Sequence, residues 1–403
     1  MSVNNNMLPV GTLLRGDTYR VIRQLNSGGF GNTYVVENVH FGEIRAMKEF
    51  FMQGVTTRRG NTVSVSQSDN ADVFRSQKEK FKKEAQRIRK LNHPNIVKIY
   101  DLFEENDTYY YIMDYIDGES LAERLNRQGA MKESEVMQVL NSLLDALSTV
   151  HAAGFTHMDI KPGNIMRDRQ GKMYLIDFGA SKQMTSNEQK TLSTSTAMPY
   201  TEGYAPIEQV ERKMENIGPW TDLYAAGATL YKMLTNQQPP SSSEIISEAN
   251  PFSFSNNISE STQSLIKWMM QPVRHKRPQV VESVMCYLRE NGFEVDEKTI
   301  YDNINPNGSN KKHKKNWKEE WDDLCLLCDA EKLFNNREYK SALPLFLKLS
   351  ETDMNKGFVC YRLGQIFENG YRNCNEAKRY YKQSAEFGFK EAKEKLEMMS
   401  DII

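Results

Sequence analysis

The chain has 403 residues, of which 52 are basic and 53 acidic, so its formal net charge at pH 7 is −1. This balance gives no reason to expect a nucleic-acid or membrane-surface partner. A transmembrane helix would need a run of about eighteen apolar residues, and the sequence has none. The start Met1-Ser2-Val3-Asn4 lacks the basic and apolar regions of a signal peptide. The length predicts two or three domains.

The five cysteines form no disulfide framework in a chain of this length. Cys325 and Cys328 make a lone CxxC, whereas a structural zinc site uses four ligands. The leucines between them and the helical pattern around them favour a buried apolar face. We therefore predict a reduced, soluble, cytoplasmic protein.

After an N-terminal extension at residues 1–18, two strands are predicted at residues 19–25 and 33–36. The turn between them reads Asn26-Ser27-Gly28-Gly29-Phe30-Gly31. Its glycines keep the backbone bare where it would lie close to phosphates. Asn tolerates the left-handed conformation best among non-glycine residues, so the turn can accommodate Asn26. Alone, such a hairpin is more often an ordinary turn than a nucleotide site.

Lys48 ends the next strand-like segment, and Glu84 lies in a helical stretch at residues 74–91. Phe81, Glu84 and Ile88 share one face of that helix. A carboxylate among apolar neighbours is costly unless it is paired, so we predict an ion pair between Glu84 and Lys48. The intervening residues 56–70 are polar, and their composition predicts a mobile surface insertion with no visible function.

Two further strand-like runs end at residues 109–113, and residues 119–154 are helical in pattern. The most informative segment follows, His157-Met158-Asp159-Ile160-Lys161-Pro162-Gly163-Asn164, with Asp177-Phe178-Gly179 beginning thirteen residues after Asn164. It supplies a candidate base, a cation and two oxygen ligands for a metal ion. Phosphoryl transfer uses such a set, because its catalysis is mostly positioning and neutralisation of charge.

With the glycine-rich turn, Ala46-Met47-Lys48 and Pro206-Ile207-Glu208 in this order, the first 290 or so residues resemble a eukaryotic-type serine/threonine protein kinase. The resemblance implies an α+β, bilobal fold with a β-rich N-lobe at residues 19–113 and an α-rich C-lobe at residues 117–292. The sequence departs from the family pattern at Asn26 (a glycine), Thr33 (a valine) and Met158 (an arginine).

The resemblance implies ATP and Mg²⁺ as cofactors, with Mn²⁺ as an alternative ion, and protein Ser/Thr hydroxyls as substrates. Asp159 would orient the hydroxyl and accept its proton, and Lys161 would screen the γ-phosphate. Lys48, held by Glu84, would steady the α- and β-phosphates.

Asn164 and Asp177 would hold the metal ion. By the same resemblance, the nucleotide pocket would be formed by Leu25, Asn26, Ser27, Gly28, Gly29, Phe30, Gly31, Thr33, Ala46, Lys48, Met113, Asp114, Ile116 and Met166.

Further residues have structural roles in the family pattern. Thr201 would tie the substrate-binding loop to the catalytic loop, Glu208 would pair with Arg277, and Asp222 would anchor the catalytic loop. The polar residues 181–200 occupy the position of an activation loop, although any flexible Ser/Thr loop has the same composition. Its candidate phosphorylation sites are Thr191, Ser193, Thr194, Ser195 and Thr196.

Met158 stands where the family arginine clamps an activation-loop phosphate. Methionine cannot form charge-assisted hydrogen bonds. We therefore hypothesise that activity does not depend strictly on one phosphorylated residue of this loop.

Residues 293–321 form a predicted linker, whose basic run at 311–315 is flanked by acidic residues. These flanks favour a solvated hinge over a nucleic-acid or lipid patch. Beyond it, a pattern around Ala342 recurs 35 residues later around Ala377, which predicts a tetratricopeptide-like array. Residues 322–401 resemble Sel1-like repeats. Two repeats are marginal alone, so they would either dock an unknown protein partner or brace the kinase.

Two rival functions remain. A pseudokinase scaffold would commonly lack at least one of Lys48, Glu84, Asp159, Asn164 and Asp177, all of which are present. A small-molecule kinase would not need Thr201, Glu208 and the long polar loop before them. The sequence therefore favours an active protein kinase.

Overall fold

The computed structural model describes residues 6–29, 31–178, 182–183, 200–247, 251–295, 317–352 and 356–400. The chain divides into two compact units, Met1–Ser241 and Ser242–Ile403. This division does not coincide with the boundary at residue 292, which stays a prediction. No helix within the described ranges combines the length and the apolar character that a membrane span requires.

The first unit begins with a six-stranded antiparallel sheet in the order β1-β2-β3-β4-β8-β7. Its core includes Tyr34, Met47 and Ile112, all fully buried. Side chains alternate between the two faces of each strand, so one face holds this core and the other faces the following helix. The strands are β1 (Leu13–Leu14), β2 (Tyr19–Gly28), β3 (Gly31–Asn38), β4 (Glu43–Phe50), β7 (Ile99–Glu105) and β8 (Thr108–Asp114).

The predicted insertion between β4 and the helix α1 (Ala71–Ile88) is a hairpin of β5 (Thr56–Arg59) and β6 (Thr62–Val65). The predicted surface insertion thus has regular secondary structure at residues 56–65, which was not predicted. The hairpin is anchored because Val63 is buried and the Arg58 side chain is only 2% exposed, in an ion pair with Glu49. A composition poor in apolar residues gave no sign of this anchor, because the anchoring group is a paired charge.

The rest of the first unit is mainly helical, and its two long helices, α3 and α5, pack against each other. The Ser120 hydroxyl caps α2 in a capping box with Glu123. Pro219 opens α5, where its missing N–H is harmless. The elements are β9 (Gly118–Ser120), α2 (Leu121–Gln128), α3 (Glu133–Ala152), β10 (Phe155–Thr156), β11 (Ile165–Asp168), β12 (Met173–Leu175), β13 (Lys182–Gln183), α4 (Ile207–Val210) and α5 (Pro219–Thr235).

The described part of the second unit is helical. Gly364 and Tyr381 face each other between two of its helices, and a Cβ on Gly364 would lie 2.5 Å from the tyrosine ring. Close approach of paired helices thus requires glycine there. The helices are α6 (Ser242–Ser247), α7 (Glu260–Met269), α8 (Val281–Glu290), α9 (Trp317–Asn335), α10 (Tyr339–Ser350), α11 (Lys356–Asn369), α12 (Cys374–Glu386) and α13 (Lys390–Ser400).

Helices α9 to α13 pack in sequence, each against the next. Their apolar faces form one cluster around Phe346 and Leu363 and a second around Tyr381 and Ala392. The predicted helical C-terminal region is thereby confirmed. Its assignment to Sel1-like repeats stays a prediction.

Candidate active site

The glycine-rich turn joins β2 to β3, with Gly28 paired to Gly31 and Asn26 to Thr33. A Cβ on Gly31 would lie 2.8 Å from the Glu49 carbonyl oxygen, so this position needs glycine for close approach to β4. Asn26 has an extended rather than a left-handed backbone, because it is a paired residue of β2. The expected left-handed role of Asn26 is therefore wrong. Phe30 lies outside the described residues.

The ammonium group of Lys48 donates to Asp177 Oδ1 at 2.6 Å. Burial opposes the charge of Lys48, yet Asp177, Tyr111 and Glu84 together outweigh it and raise the lysine pKa well above its ordinary value. The predicted partner, Glu84, lies near enough to add to this effect. Its Oε1 has no hydrogen-bond partner among the described residues.

Glu84 on α1 is 8% exposed. Burial, together with the negative charge of Asp177, raises the pKa of Glu84 to about 7, although Lys48 opposes the rise. The prediction that Lys48 pairs with Glu84 is thus wrong for this arrangement. Two carboxylates compete for one ammonium group, and Asp177 holds it.

Three predicted residues meet around the carboxylate of Asp159. Thr201 Oγ1 donates to Oδ1 at 3.0 Å, and Asn164 Nδ2 donates to Oδ2 at 2.8 Å. Lys161 Nζ lies 2.8 Å from Oδ2 and donates to Thr201 Oγ1 at 3.0 Å. The carboxylate is therefore held in one orientation beside a cation, while Thr201 links a later loop to it.

The loop that carries Asp159 is fixed by Asp222 at the start of α5, which is fully buried. Asp222 accepts hydrogen bonds at 2.8 Å from the backbone N–H groups of His157 and Met158, and its Oδ2 lies 2.8 Å from His151 Nε2. Met158 has a positive φ of 69°, an uncommon conformation for a non-glycine residue that these contacts hold.

Three residues of this support were missed from the sequence. Gln209 Nε2 donates to the Met158 carbonyl oxygen at 2.8 Å, His151 contacts Asp222, and the His157 ring packs on Phe178 at 4.4 Å. Burial lowers the pKa of His157, which favours its neutral form even though Asp222 opposes the shift. Only His157 had a sequence signal, as the first residue of the catalytic motif.

Two other predicted structural residues are buried, Glu208 and Arg277. Glu208 Oε1 accepts from Thr221 Oγ1 at 3.1 Å, and Arg277 Nη2 donates to the Pro272 carbonyl oxygen at 2.9 Å. Glu208 and Arg277 belong to different units. Their pairing stays a prediction.

The predicted adenine-pocket residues lie on the central strands and on the segment after them. Ala46 on β4 faces Met113 on β8, and Met166 lies on β11. The backbone N–H of Asp114 donates to the Lys98 carbonyl oxygen at 3.0 Å, so this N–H serves the sheet. Ile116 is buried and Leu25 is half-exposed.

The oxygen atoms of Asn164 and Asp177 fit a magnesium ion in kind, because Mg²⁺ binds one or two carboxylates plus water and substrate phosphates. With its amide nitrogen on Asp159, Asn164 keeps a carbonyl oxygen as the ligand atom. Within the described residues no group of three or more His, Cys, Asp or Glu side chains could hold a metal ion alone. The predicted phosphorylation sites Thr191, Ser193, Thr194, Ser195 and Thr196 lie outside the described residues.

Residues 19–287 match the protein kinase domain family, and the chain belongs to that family. It is 27% identical to serine/threonine-protein kinase PrkC of Bacillus subtilis, over 70% of this chain and 40% of that protein. It is 32% identical to PknA of Nostoc, over 58% of this chain and 41% of that protein. The chain thus spans less than half the length of these relatives.

A solved structure entitled "PpkA-294 apo form" superposes with a TM-score of 0.61 at 25% identity, covering 70% of this chain and 99% of that one. The match, with the family assignment, confirms the predicted α+β kinase fold followed by a helical region.

The raised pKa of Glu84 predicts a pH-dependent stability. The folded protein holds this proton up to about pH 7, whereas the ordinary value is 4.5. The resulting stabilisation is complete below pH 4.5 and is lost as the pH rises through about 7. The free energy of unfolding of Glu84→Gln, taken relative to that of wild type, should therefore rise by about 3 kcal/mol as the pH increases from 4.5 to about 7.

Denaturant unfolding at a series of pH values checks this expectation. Glu79→Gln, a change at a half-exposed position of the same helix, is the matched control and should follow the wild-type profile. Parallel profiles for Glu84→Gln and wild type would contradict the raised pKa.

Proposed function

We propose that this protein is an ATP-dependent serine/threonine protein kinase that transfers the γ-phosphoryl group of Mg-ATP to protein Ser or Thr hydroxyls. The observation that carries the proposal is the convergence of Lys161, Asn164 and Thr201 on the Asp159 carboxylate. The family membership supports it.

In the proposed reaction, Asp159 orients the acceptor hydroxyl and takes its proton. Lys161, beside that carboxylate, neutralises charge on the transferred group. Lys48 steadies the α- and β-phosphates, and Asn164 and Asp177 would hold Mg²⁺. When bound, Mg²⁺ would supply positive charge against the negative charge of the phosphates.

The contact of Thr201 with both Asp159 and Lys161 supports a protein substrate over a small molecule. By the resemblance to protein kinases, Thr201 belongs to the substrate-binding loop, which binds a segment of the protein substrate. A pseudokinase scaffold is disfavoured because Lys48 and Asp177 are in direct contact and the Asp159 cluster is complete.

Replacing Asp159 by Asn should abolish phosphoryl transfer, a loss of about 10³-fold or more, because an amide accepts no proton. Nucleotide affinity and thermal stability should change little, since the amide retains most hydrogen bonds of the cluster. Transfer is measured with labelled ATP and a generic protein substrate, and affinity by titration with a non-hydrolysable analogue.

Asp117→Asn is the matched control for this experiment. Asp117 is an exposed residue whose ion pair with Arg169, at 2.9 Å, is on the surface. Its activity should equal that of wild type. Undiminished autophosphorylation in the Asp159→Asn variant would refute the assignment of the base.

Regulation is proposed to be independent of a single activation-loop phosphate. The Met158 side chain, which replaces the family arginine, is buried and apolar, so it offers a phosphate no charge-assisted hydrogen bond. Control would come from the C-terminal helices, the β5–β6 hairpin or the position of α1.

Replacing all seven hydroxyl residues of the loop by Ala should therefore change activity on an outside substrate by less than about tenfold. The seven are Thr185, Ser186, Thr191, Ser193, Thr194, Ser195 and Thr196. The variant is compared with wild-type protein from which phosphatase has removed any phosphate. A loss of about a hundredfold, restored by one acidic replacement, would show that another basic residue serves as the clamp.

We propose that helices α10–α13 bind a protein partner and that helix α9, the first of the C-terminal helices, braces the kinase domain. Helix α9 packs on α8, where Ser283 Oγ lies 3.4 Å from Cys328 Sγ and Arg289 Nη1 lies 3.8 Å from Asp322. Cys286 and Cys325 are buried in the same unit. Helix α9 thus covers a face of α8, while helices α10–α13 would be available to a partner.

Two truncations separate bracing from docking. A chain ending at Asn336 keeps the cover on α8 and should retain kinase activity but lose the partner. A chain ending at Gly292 uncovers α8 and should also lose thermal stability. The docking proposal would be contradicted if the chain ending at Asn336 were fully inactive while its circular dichroism spectrum showed that the kinase part is folded.

A further inference from the structure

A buried polar network lies behind the glycine-rich turn, on the face of the sheet opposite Lys48. Its centre is Glu49, which follows Lys48 on β4 and is fully buried. Because strand neighbours point to opposite faces, Lys48 points to one face of the sheet and Glu49 to the other. The network therefore adjoins the candidate active site through one strand.

The carboxylate of Glu49 accepts four hydrogen bonds. Arg58 Nη2 donates at 2.6 Å, Tyr34 Oη at 2.7 Å, Tyr110 Oη at 2.9 Å and Asn32 Nδ2 at 3.0 Å. A buried charge is tolerated when its lone pairs are satisfied in this way. The donors come from β3, β5 and β8, so one carboxylate ties the hairpin to the sheet.

The N-terminal segment enters the same network. The carbonyl oxygen of Asn6 accepts from Asn32 Nδ2 at 2.9 Å and from Arg58 Nε at 3.1 Å. The backbone N–H of Leu8 donates to Tyr34 Oη at 3.0 Å, and Leu8 is fully buried. Arg58 thus joins three pieces of chain: the N-terminal segment, the hairpin and β4.

Asn32 connects this network to the glycine-rich turn. Its Nδ2 faces two acceptors, Glu49 and the Asn6 carbonyl, so its Oδ1 must face the other way. There it accepts from Ser27 Oγ at 2.7 Å. Ser27 Oγ in turn accepts from Gln53 Nε2 at 2.8 Å.

Gln53 also holds the turn through its backbone. The Gln53 N–H donates to the Gly29 carbonyl oxygen at 3.1 Å. Two residues of the turn, Ser27 and Gly29, are therefore fastened from behind. The other described residues of the turn are two glycines and the exposed Asn26, which offer no buried side chain to fix its position.

We propose that Arg58, Glu49 and Asn32 are positioning residues that hold the glycine-rich turn for nucleotide binding. The N-terminal segment and the β5–β6 hairpin thereby act on ATP affinity without touching ATP. This inference rests on the proposed kinase function only in naming ATP as the ligand.

The test uses Arg58→Met, which breaks the network at the hairpin, and Ser27→Ala, which breaks its link to the turn. Each should raise the Kd for a non-hydrolysable Mg-ATP analogue about three- to tenfold, the value of one hydrogen bond. The KM for ATP should rise in parallel, and in Arg58→Met, a change outside the nucleotide pocket, kcat should stay within about twofold of wild type.

The double variant should bind the analogue no more than about twofold more weakly than the weaker single variant, because two breaks in one chain are not additive. Arg59→Met is the matched control: Arg59 is the exposed neighbour on β5, and its replacement should leave Kd and KM unchanged. Arg58→Lys, which keeps the charge but offers fewer donors, should fall between wild type and Arg58→Met.

An unchanged Kd in Ser27→Ala would overturn the proposal, and this variant leaves the buried ion pair intact. A loss of thermal stability in Arg58→Met with an unchanged Kd would also overturn it, since the network would then only stabilise the sheet. Binding of the analogue requires no phosphoryl transfer. Wild type that binds the analogue but transfers no phosphate would refute the proposed function alone.

Discussion

The fully buried carboxylate of Asp222 is the constraint on which the candidate site depends. A buried charge is stable only when donors surround it, and here the donors are backbone N–H groups of the catalytic loop and a histidine. Satisfying Asp222 therefore dictates the path of residues 157–158, including the positive φ of Met158. The position of Asp159, the next residue, follows from that path. The proposed base is thus placed by an interaction that takes no part in the reaction.

Three buried carboxylates differ in their hydrogen-bond partners. Asp222 and Glu49 accept several hydrogen bonds each, and both support a rigid backbone. Glu84 has an oxygen without a hydrogen-bond partner among the described residues, and burial, together with the charge of Asp177, raises its pKa to about 7. Two carboxylates thus lie near one cation, Lys48, and Asp177 is the one that accepts its hydrogen bond.

The sequence predicted those parts of the site that lie within one short loop. Asp159, Lys161 and Asn164 meet because their spacing is local, and the strands on both sides of the glycine-rich turn follow from alternating patterns. The ion pair of Lys48 could not be predicted in the same way. Its outcome depends on the relative distances of two carboxylates that are far apart in the chain, and spacing carries no information on that competition.

The hairpin at residues 56–65 was not predicted, for a related reason. Its composition resembles a disordered segment, since it buries little apart from Val63. What orders it is one guanidinium group paired with a carboxylate on another strand, and a long-range polar contact leaves no periodic signal. Gln209 and Asn32 were missed on the same grounds, because an amide that completes a network looks like any surface residue in the sequence.

Strand β4 connects the candidate active site with the buried network. Lys48 and Glu49 are adjacent, so a single backbone segment carries the phosphate-facing cation on one face and the hub of the buried network on the other. A shift of β4 by one residue would exchange the two faces and leave each charge in the wrong environment. The four hydrogen bonds of Glu49 therefore fix the register of the strand as well as the hairpin. That register also sets the position of Lys48 relative to Asp177, so the network and the candidate active site depend on the same register of β4.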